Sequence, residues 1–423
     1  MMDTGAGGRH DALPHRSRDT GRDRSEIELV RGLVSVPSLS RHEAAASGWL
    51  ASEMETRGLE HCQVDGALNA VGELGEPDAS RLVVLLGHID TVPGNIPVRI
   101  EDDGSPHGVL HGRGSVDAKG PLASFVAAAA RLGGDWARAH DLRLIVAGAT
   151  EEEAATSRGA HHLLKRLNGR DEPMPDFCII GEPSHWHRVT LGYKGRLLID
   201  LLARRPSSHT AGPEAGVGIT AFDLWQRLEA VAERSGGRTS FERVLPSLRT
   251  INTTTDGLYD TVRADYGLRL PVDFDVAALI AELEDWFGGA AADIDGPLFS
   301  DLNALRATGT IRCEQGHASL ELSLRGYEVG VRADRHSPLV RAFLGAIRTV
   351  GPGTRPKFVV KTGTCDMNIV WPVWRCPIVA YGPGDSTLDH TPNEHLELDE
   401  YLLAVDTVEL ALRNLAAAPP AAR

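Results

Sequence analysis

Three short apolar runs dominate what this chain can fold into: RLVVLLG (81–87), LRLIVAGA (142–149) and DFCIIG (176–181). Each is too short for a helix core, rich in β-branched residues, and apolar on both alternating faces, the pattern of a strand buried on both sides. Helical spacing separates them. AKGPLASFVAAAARLG (118–133) is alanine-rich and SRGAHHLLKRL (157–167) is amphipathic. Strands alternating with helices predict an α/β layer built on a mainly parallel sheet. Upstream, EIELVRGLVSV and EAAASGWLASEMETRG also have helical spacing, with Gly58 as a stop.

The pattern changes near residue 188. LLIDLLARR, LRTINTT, YGLRLPV and ASLELSLRGYEV alternate apolar with polar, and helical stretches at 214–234 and 275–287 interrupt them. This predicts a smaller α+β unit with an antiparallel sheet, half exposed. After about residue 331 the α/β style returns, with helix 337–349, strands KFVV and PIVAY, and helix 398–415. The expected organisation is a disordered tail at 1–24, a catalytic domain from 25–187 and 331–423, and an inserted domain at 188–330. With 423 residues, two domains are the natural division.

Composition closes off several classes. A formal charge of −14 excludes a nucleic-acid partner, whose phosphates need a basic face. No apolar run reaches membrane-spanning length. The first 24 residues lack the apolar core of a secretory signal. Five dispersed cysteines without a C-x-x-C pair read as free thiols in a reducing cytoplasm.

The chemistry gathers where the strands end. His88-Ile89-Asp90 follows the first run; GRGSVDAKG brings Asp117 to the start of a helix; Glu151, Glu152 and Glu153 follow the second run; Glu182 follows the third. In an open α/β sheet, ligands bind beyond the carboxyl ends of the strands, so four segments deliver these groups to one edge. Singly, each has an ordinary reading: a surface histidine, an N-cap aspartate, a solvated charge run, a turn residue. Together they do not. Carboxylates crowded at one edge repel unless cations neutralise them, and His with Asp/Glu is the usual mixed ligand set for zinc. One more imidazole would suit two metal ions. DSTLDHTPNEH (385–395), too polar for a core, offers one.

GHIDTVP, GRGSVDAKGPLA, TEEEA, IIGEPS and DHTPNEH occur in the order found in the ArgE/DapE/carboxypeptidase G family of two-metal aminoacylases and peptidases, and the chain resembles that family from about residue 25 to 415. The resemblance implies two divalent ions per chain, Zn2+ or Co2+. His88, Asp117 and Glu182 would hold the first; Glu153 and His390 would hold the second, with Asp117 bridging. It implies Glu152 as general base, Asp90 as the residue that orients His88, and a cis peptide after Asp117. An aspartate is usual in the family where Glu151 stands, so the register of the acidic triplet is itself a test. The resemblance further implies a homodimer, in which His209 from the partner's inserted domain donates to the oxyanion. Arg269 and Thr364 are the expected substrate contacts.

LGYKGR, TEEEAATSRGA and YGPGDSTLDHTPNEH look most like the subfamily that releases lysine or ornithine from an amino-group carrier protein, where the amino acid is joined to the γ-carboxyl of a C-terminal glutamate. Such carriers are acidic. Residues 188–330 are acidic on balance, but Lys194, Arg196, Arg204 and Arg205 offer a local basic patch, with Lys194 and Arg196 as substrate-side contacts. The alternative is a deacylase of small N-acyl amino acids such as N-acetylornithine or N-acetyllysine. An inactive binding or scaffold relative is the alternative of another class, and the full ligand set opposes it. The two-metal phosphoesterases are excluded by the absence of D-x-H and G-N-H motifs, and a P-loop by the absence of G-K-[ST].

Overall fold

A computed structural model describes residues 19–154, 156–209, 211–212, 215–287, 293–295, 309–315 and 317–417. Residues 1–18 of the expected tail lie outside them. Residues 19–24 do not belong to a tail. The helix Thr20–Ser35 starts there, capped by the Asp19 carboxylate, which accepts the Arg22 N–H at 3.3 Å. Its Glu26 is buried against a guanidinium fork, with Arg131 Nε and Nη2 at 2.6 and 2.7 Å. That pairing ties down a stretch whose composition reads as solvent-loving.

The described chain forms two compact units. The first takes residues up to 191, then 333–359 and 373 onward; the second takes 192–332 and 360–372. Two boundaries differ from expectation. The strand Arg188–Tyr193 runs in the first unit's sheet, where Thr190 pairs with Ala380. The segment 360–372 returns to the second unit, because Asn368 Nδ2 donates to the carbonyls of Lys194 and Val329 at 3.0 and 2.7 Å.

In the first unit the strand Arg81–His88 lies between Leu142–Ala149 and Phe177–Gly181, parallel to both, and Ile378–Tyr381 adds a fourth parallel strand. Antiparallel strands flank these four: Ala70–Leu74 and Glu60–Val64 on one side, Arg188–Tyr193 on the other. The sheet is therefore mainly parallel at its centre. Leu82 through Leu86 are all buried, with helices Lys119–Ala139, Pro338–Val350 and Leu398–Ala417 completing the core. Burying each such aliphatic side chain stabilises the fold by roughly 1.5–3 kcal/mol before entropy is charged.

Register decides where the chemistry falls. His88 pairs with Ala149, and Gly87 with Gly181, so the chain leaves all three strands at one level. The glycines permit the close packing. A Cβ on Gly181 would stand 3.0 Å from Gly87 Cα and 3.0 Å from the Phe125 ring.

The second unit is a six-stranded antiparallel sheet, ordered Leu245–Thr255, Tyr259–Leu270, Gly195–Pro206, Ala318–Glu328, Gly309–Gln315 and Asp293–Asp295. Leu197, Ile199, Leu201 and Ala203 alternate into its core beside helices Ile219–Ser235 and Val276–Phe287. The period-2 pattern read from the sequence is this buried face.

Candidate metal centre

Asp90 organises the site. It is fully buried, two residues beyond the strand that ends at His88. Its carboxylate accepts Ser40 Oγ–H at 2.7 Å and the backbone N–H groups of Glu152 and Glu153 at 3.1 and 3.0 Å. The same carboxylate stands 3.5 Å from His88 Nδ1, and the Asp90 carbonyl 3.1 Å. One side chain thus orients an imidazole and the acidic triplet together. With Nδ1 facing Asp90, Nε2 of His88 is turned to the site, the usual way a ligating imidazole is fixed.

Asp117 lies between two imidazoles. Its Oδ1 is 3.2 Å from His88 Nε2 and its Oδ2 is 3.1 Å from His390 Nε2. The Asp117–Ala118 peptide is cis, as the family resemblance implies. His390 Nε2 also meets Glu153 Oε1 at 2.9 Å. The loop that carries it starts from an Asp385 cap on the turn Ser386–Leu388, and His390 itself has a left-handed φ of 61°. A non-glycine residue in that conformation at a site is held there by its surroundings.

The electrostatics follow. Burial pushes His88 down, but its hydrogen bonds to Asp117 and Asp90 outweigh this and leave it well above the usual histidine range. The hydrogen bonds to Asp117 and Glu153 raise His390 to about 10. Burial raises Asp117, yet the two imidazoles more than reverse it and hold the carboxyl well below its ordinary value. Glu153 is raised, by burial first and by the neighbouring Asp117 charge, against the hydrogen bond from His390.

Two sets of ligand atoms gather within 4.8 Å: His88, Glu152 and Glu153, and Asp117, Glu153 and His390. Imidazole nitrogens and carboxylate oxygens at this spacing are the donor set for borderline and hard divalent ions, so these residues fit a metal-binding site. Glu182 belongs to neither close set. It is buried one residue beyond Gly181, beside His88 in register, and its N–H donates to the Tyr381 carbonyl at 3.3 Å. Glu151 turns elsewhere. Its carboxylate accepts Thr156 Oγ1–H at 2.7 Å and lies 3.6 and 3.9 Å from Arg158 and Arg41. Glu152, not Glu151, shares the set with His88.

The second unit holds the remaining candidates. Arg269 Nη1 donates to Thr364 Oγ1 at 3.0 Å, so these two are neighbours. His209 is exposed, and its Nδ1 accepts the Ala211 N–H at 3.2 Å. In the neutral ring that leaves the proton on Nε2, which can donate. The basic patch needs correction. Lys194 is fully buried, and its ammonium donates to the carbonyls of Ser240 and Phe241, each at 3.0 Å, and of Arg243. Burial pushes its pKa down to about 8. Arg196 donates to Glu328 and to the Gly326 carbonyl. Arg204 pairs with Asp256 at 3.0 Å and Arg205 donates to the Ala215 carbonyl. Lys194 and Arg196 are internal braces, not a docking surface.

Sequence reasoning gave no role to Ser40 or Glu394, whose partners lie far off in the chain. Glu394 at least falls inside the polar 385–395 stretch.

The profile of peptidase family M20/M25/M40 matches residues 84–414. A LysW-lysine hydrolase from Deinococcus radiodurans is 42% identical over 393 residues, covering 92% of this chain and 96% of its own. A putative LysW-lysine/LysW-ornithine hydrolase from Thermococcus kodakarensis is 35% identical, covering 92% of each chain. Among solved structures, an M20 family metallo-carboxypeptidase from Sulfolobus solfataricus superposes with a TM-score of 0.69 at 16% identity, over 92% of this chain and 99% of its own. A dinuclear metal-binding M20 peptidase from Bacillus subtilis gives 0.61 at 15% identity, over 94% and 99%. Those two likenesses speak for the fold. The profile spans every candidate ligand from His88 to His390, and the chain belongs to peptidase family M20/M25/M40 as a metal-dependent hydrolase of amide or peptide bonds.

Proposed function

We propose that this protein hydrolyses the amide between a basic amino acid, lysine or ornithine, and the γ-carboxyl of an amino-group carrier protein's C-terminal glutamate, releasing the free amino acid at the end of its biosynthesis. The observation that carries this reading is the 42% identity, over nearly the whole of both chains, to a LysW-lysine hydrolase. His88, Asp117 and Glu182 would hold one divalent ion, and Asp117, Glu153 and His390 the other, zinc or cobalt in the cell. Bound there, the ions supply Lewis acidity to the attacking water and to the scissile carbonyl. Glu152 accepts the proton of that water and passes it to the leaving amine. Asp90 keeps Glu152 in reach through the backbone N–H it binds.

The working unit is a homodimer in the cytoplasm. The exposed edge strand Leu245–Thr255, with Ile251 41% accessible, supports pairing with a second copy, since an uncovered edge is a template for another strand. His209 of the partner subunit then donates Nε2–H to the oxyanion. Arg269 and Thr364 contact the substrate, the guanidinium fork suiting a carboxylate.

The test compares kcat/KM for a carrier-linked glutamyl amide of lysine or ornithine with that for N-acetyllysine and N-acetylornithine. The carrier-linked substrate is expected to win. If an acetylated amino acid wins by more than about tenfold, the small-molecule deacylase takes its place, with the same ligands and the same base.

A further inference from the structure

Glu394 is buried to 0% exposure, and each of its oxygens has a donor. Oε1 accepts the backbone N–H groups of Val116 and Asp117 at 3.0 and 3.2 Å. Oε2 accepts Arg113 Nη1 at 2.8 Å, and Arg113 Nε reaches the Gly94 carbonyl at 3.1 Å. The strand that follows, His395–Glu397, pairs with Val109–His111, which fixes the loop's far end to the segment leading into Asp117. Four residues before Glu394 stands His390, whose imidazole meets the Asp117 carboxylate. The loop therefore grips one residue twice, by its backbone through Glu394 and by its side chain through His390.

We infer that Glu394, braced by Arg113, is a positioning residue that sets the His390–Asp117 geometry and with it the affinity of the metal position served by Glu153 and His390. The inference rests on the two-metal reading and deepens it. A carboxylate is required for a simple reason. Both oxygens face donors, and an amide of the same shape must turn its NH2 toward one of them, leaving two donors opposed. Burying an ionised pair is also costly, and apolar packing is often the more stable choice. Keeping a charge here buys orientation. His88 has independent support from Asp90 and from its strand, so the other metal position depends less on Glu394.

The test strips metal from the wild type and from Glu394→Gln, then titrates each with Zn2+, counting bound ions by mass spectrometry and following heat by calorimetry. The wild type is expected to bind two ions. Glu394→Gln is expected to bind the second ion about 10–100-fold more weakly and to weaken the first by clearly less. Both ions bound as in wild type, or both weakened alike as a merely structural lesion would do, overturns the inference while the two-metal reading stands. A wild type that takes up no second ion overturns both. If Glu394→Gln does not fold, Arg113→Lys, which keeps the charge but loses the fork, carries the same comparison with the same expected split.

Discussion

At the edge of the parallel sheet, His88 and His390 stand among Asp117, Glu152 and Glu153, so three carboxylates crowd two imidazoles. In the antiparallel sheet the charges come in matched couples: Arg196 with Glu328, Arg204 with Asp256, Arg325 with Asp200, Arg312 with Glu321. Both regions are rich in ionisable residues, and a count of charges would not separate them. The balance does. The crowded carboxylates raise His390 to about 10, and the two imidazoles in turn hold Asp117 low, a balance that suits cations. Matched couples on a half-exposed sheet contribute little each.

Removing metal should break the comparison most completely. A chelator is expected to abolish amide hydrolysis, and Zn2+ or Co2+ to restore it, while the matched couples of the second unit stay as they are. An active preparation holding only traces of metal would end the reading of the carboxylate edge as a metal site.

Within that edge, Glu152→Gln is expected to lower kcat by roughly 10²–10⁴ with metal content unchanged. Glu151→Gln should be mild, because its carboxylate serves Thr156. The reverse ranking, read by steady-state kinetics, would move the base by one residue.

The exposed His209 asks whether the second unit contributes chemistry at all. Mixing His209→Ala chains with Glu152→Gln chains should regain up to about a quarter of wild-type activity, since half of the random dimers are hybrids with one intact site of two. No gain despite proven subunit exchange assigns the oxyanion donor elsewhere.

Lys194→Met tests the opposite kind of site. Its three carbonyl partners would lose their donor, and denaturant unfolding should show a loss of roughly 2–4 kcal/mol. The ratio of kcat/KM between carrier-linked and acetylated substrates should not change. A shift in that ratio would return Lys194 to the substrate side.

The smallest effect is a pH dependence of the metal-free protein. His390 is raised to about 10 in the fold, above its unfolded value near 6.5, so its contribution is complete below about pH 6.5 and is lost as pH climbs through 10. Its side chain is 52% exposed, which screens the pair, so melting temperature should fall gently over that window, and less of that fall should remain in His390→Gln.

Much of the metal edge was legible because each candidate follows an apolar run. His88, Glu152, Glu153 and Glu182 are found by asking what comes after a buried strand, and Asp117 by asking what opens the next helix. The weak patterns were not legible. The strands Glu60–Val64 and Ala70–Leu74, the ribbon of Arg99–Glu101, Val109–His111 and His395–Glu397, and the helix Asp366–Trp374 with Pro372 inside it are short or mixed, and only their neighbours specify them. Lys194 misled for a related reason. A lysine beside an arginine reads as exposed, and nothing local announces three carbonyls converging from residues 240–243.

The sequence by itself determined the layer class, the two-unit plan and the residue types at the strand ends, because periodicity and strand-end position are local properties of the chain. The tertiary structure alone decided which acid faces which imidazole. Asp117 meets His390 across 273 positions, and Glu394 holds the Asp117 N–H across 277. Such pairings depend on parallel register and on loops closing in space, and no spacing along the chain encodes them.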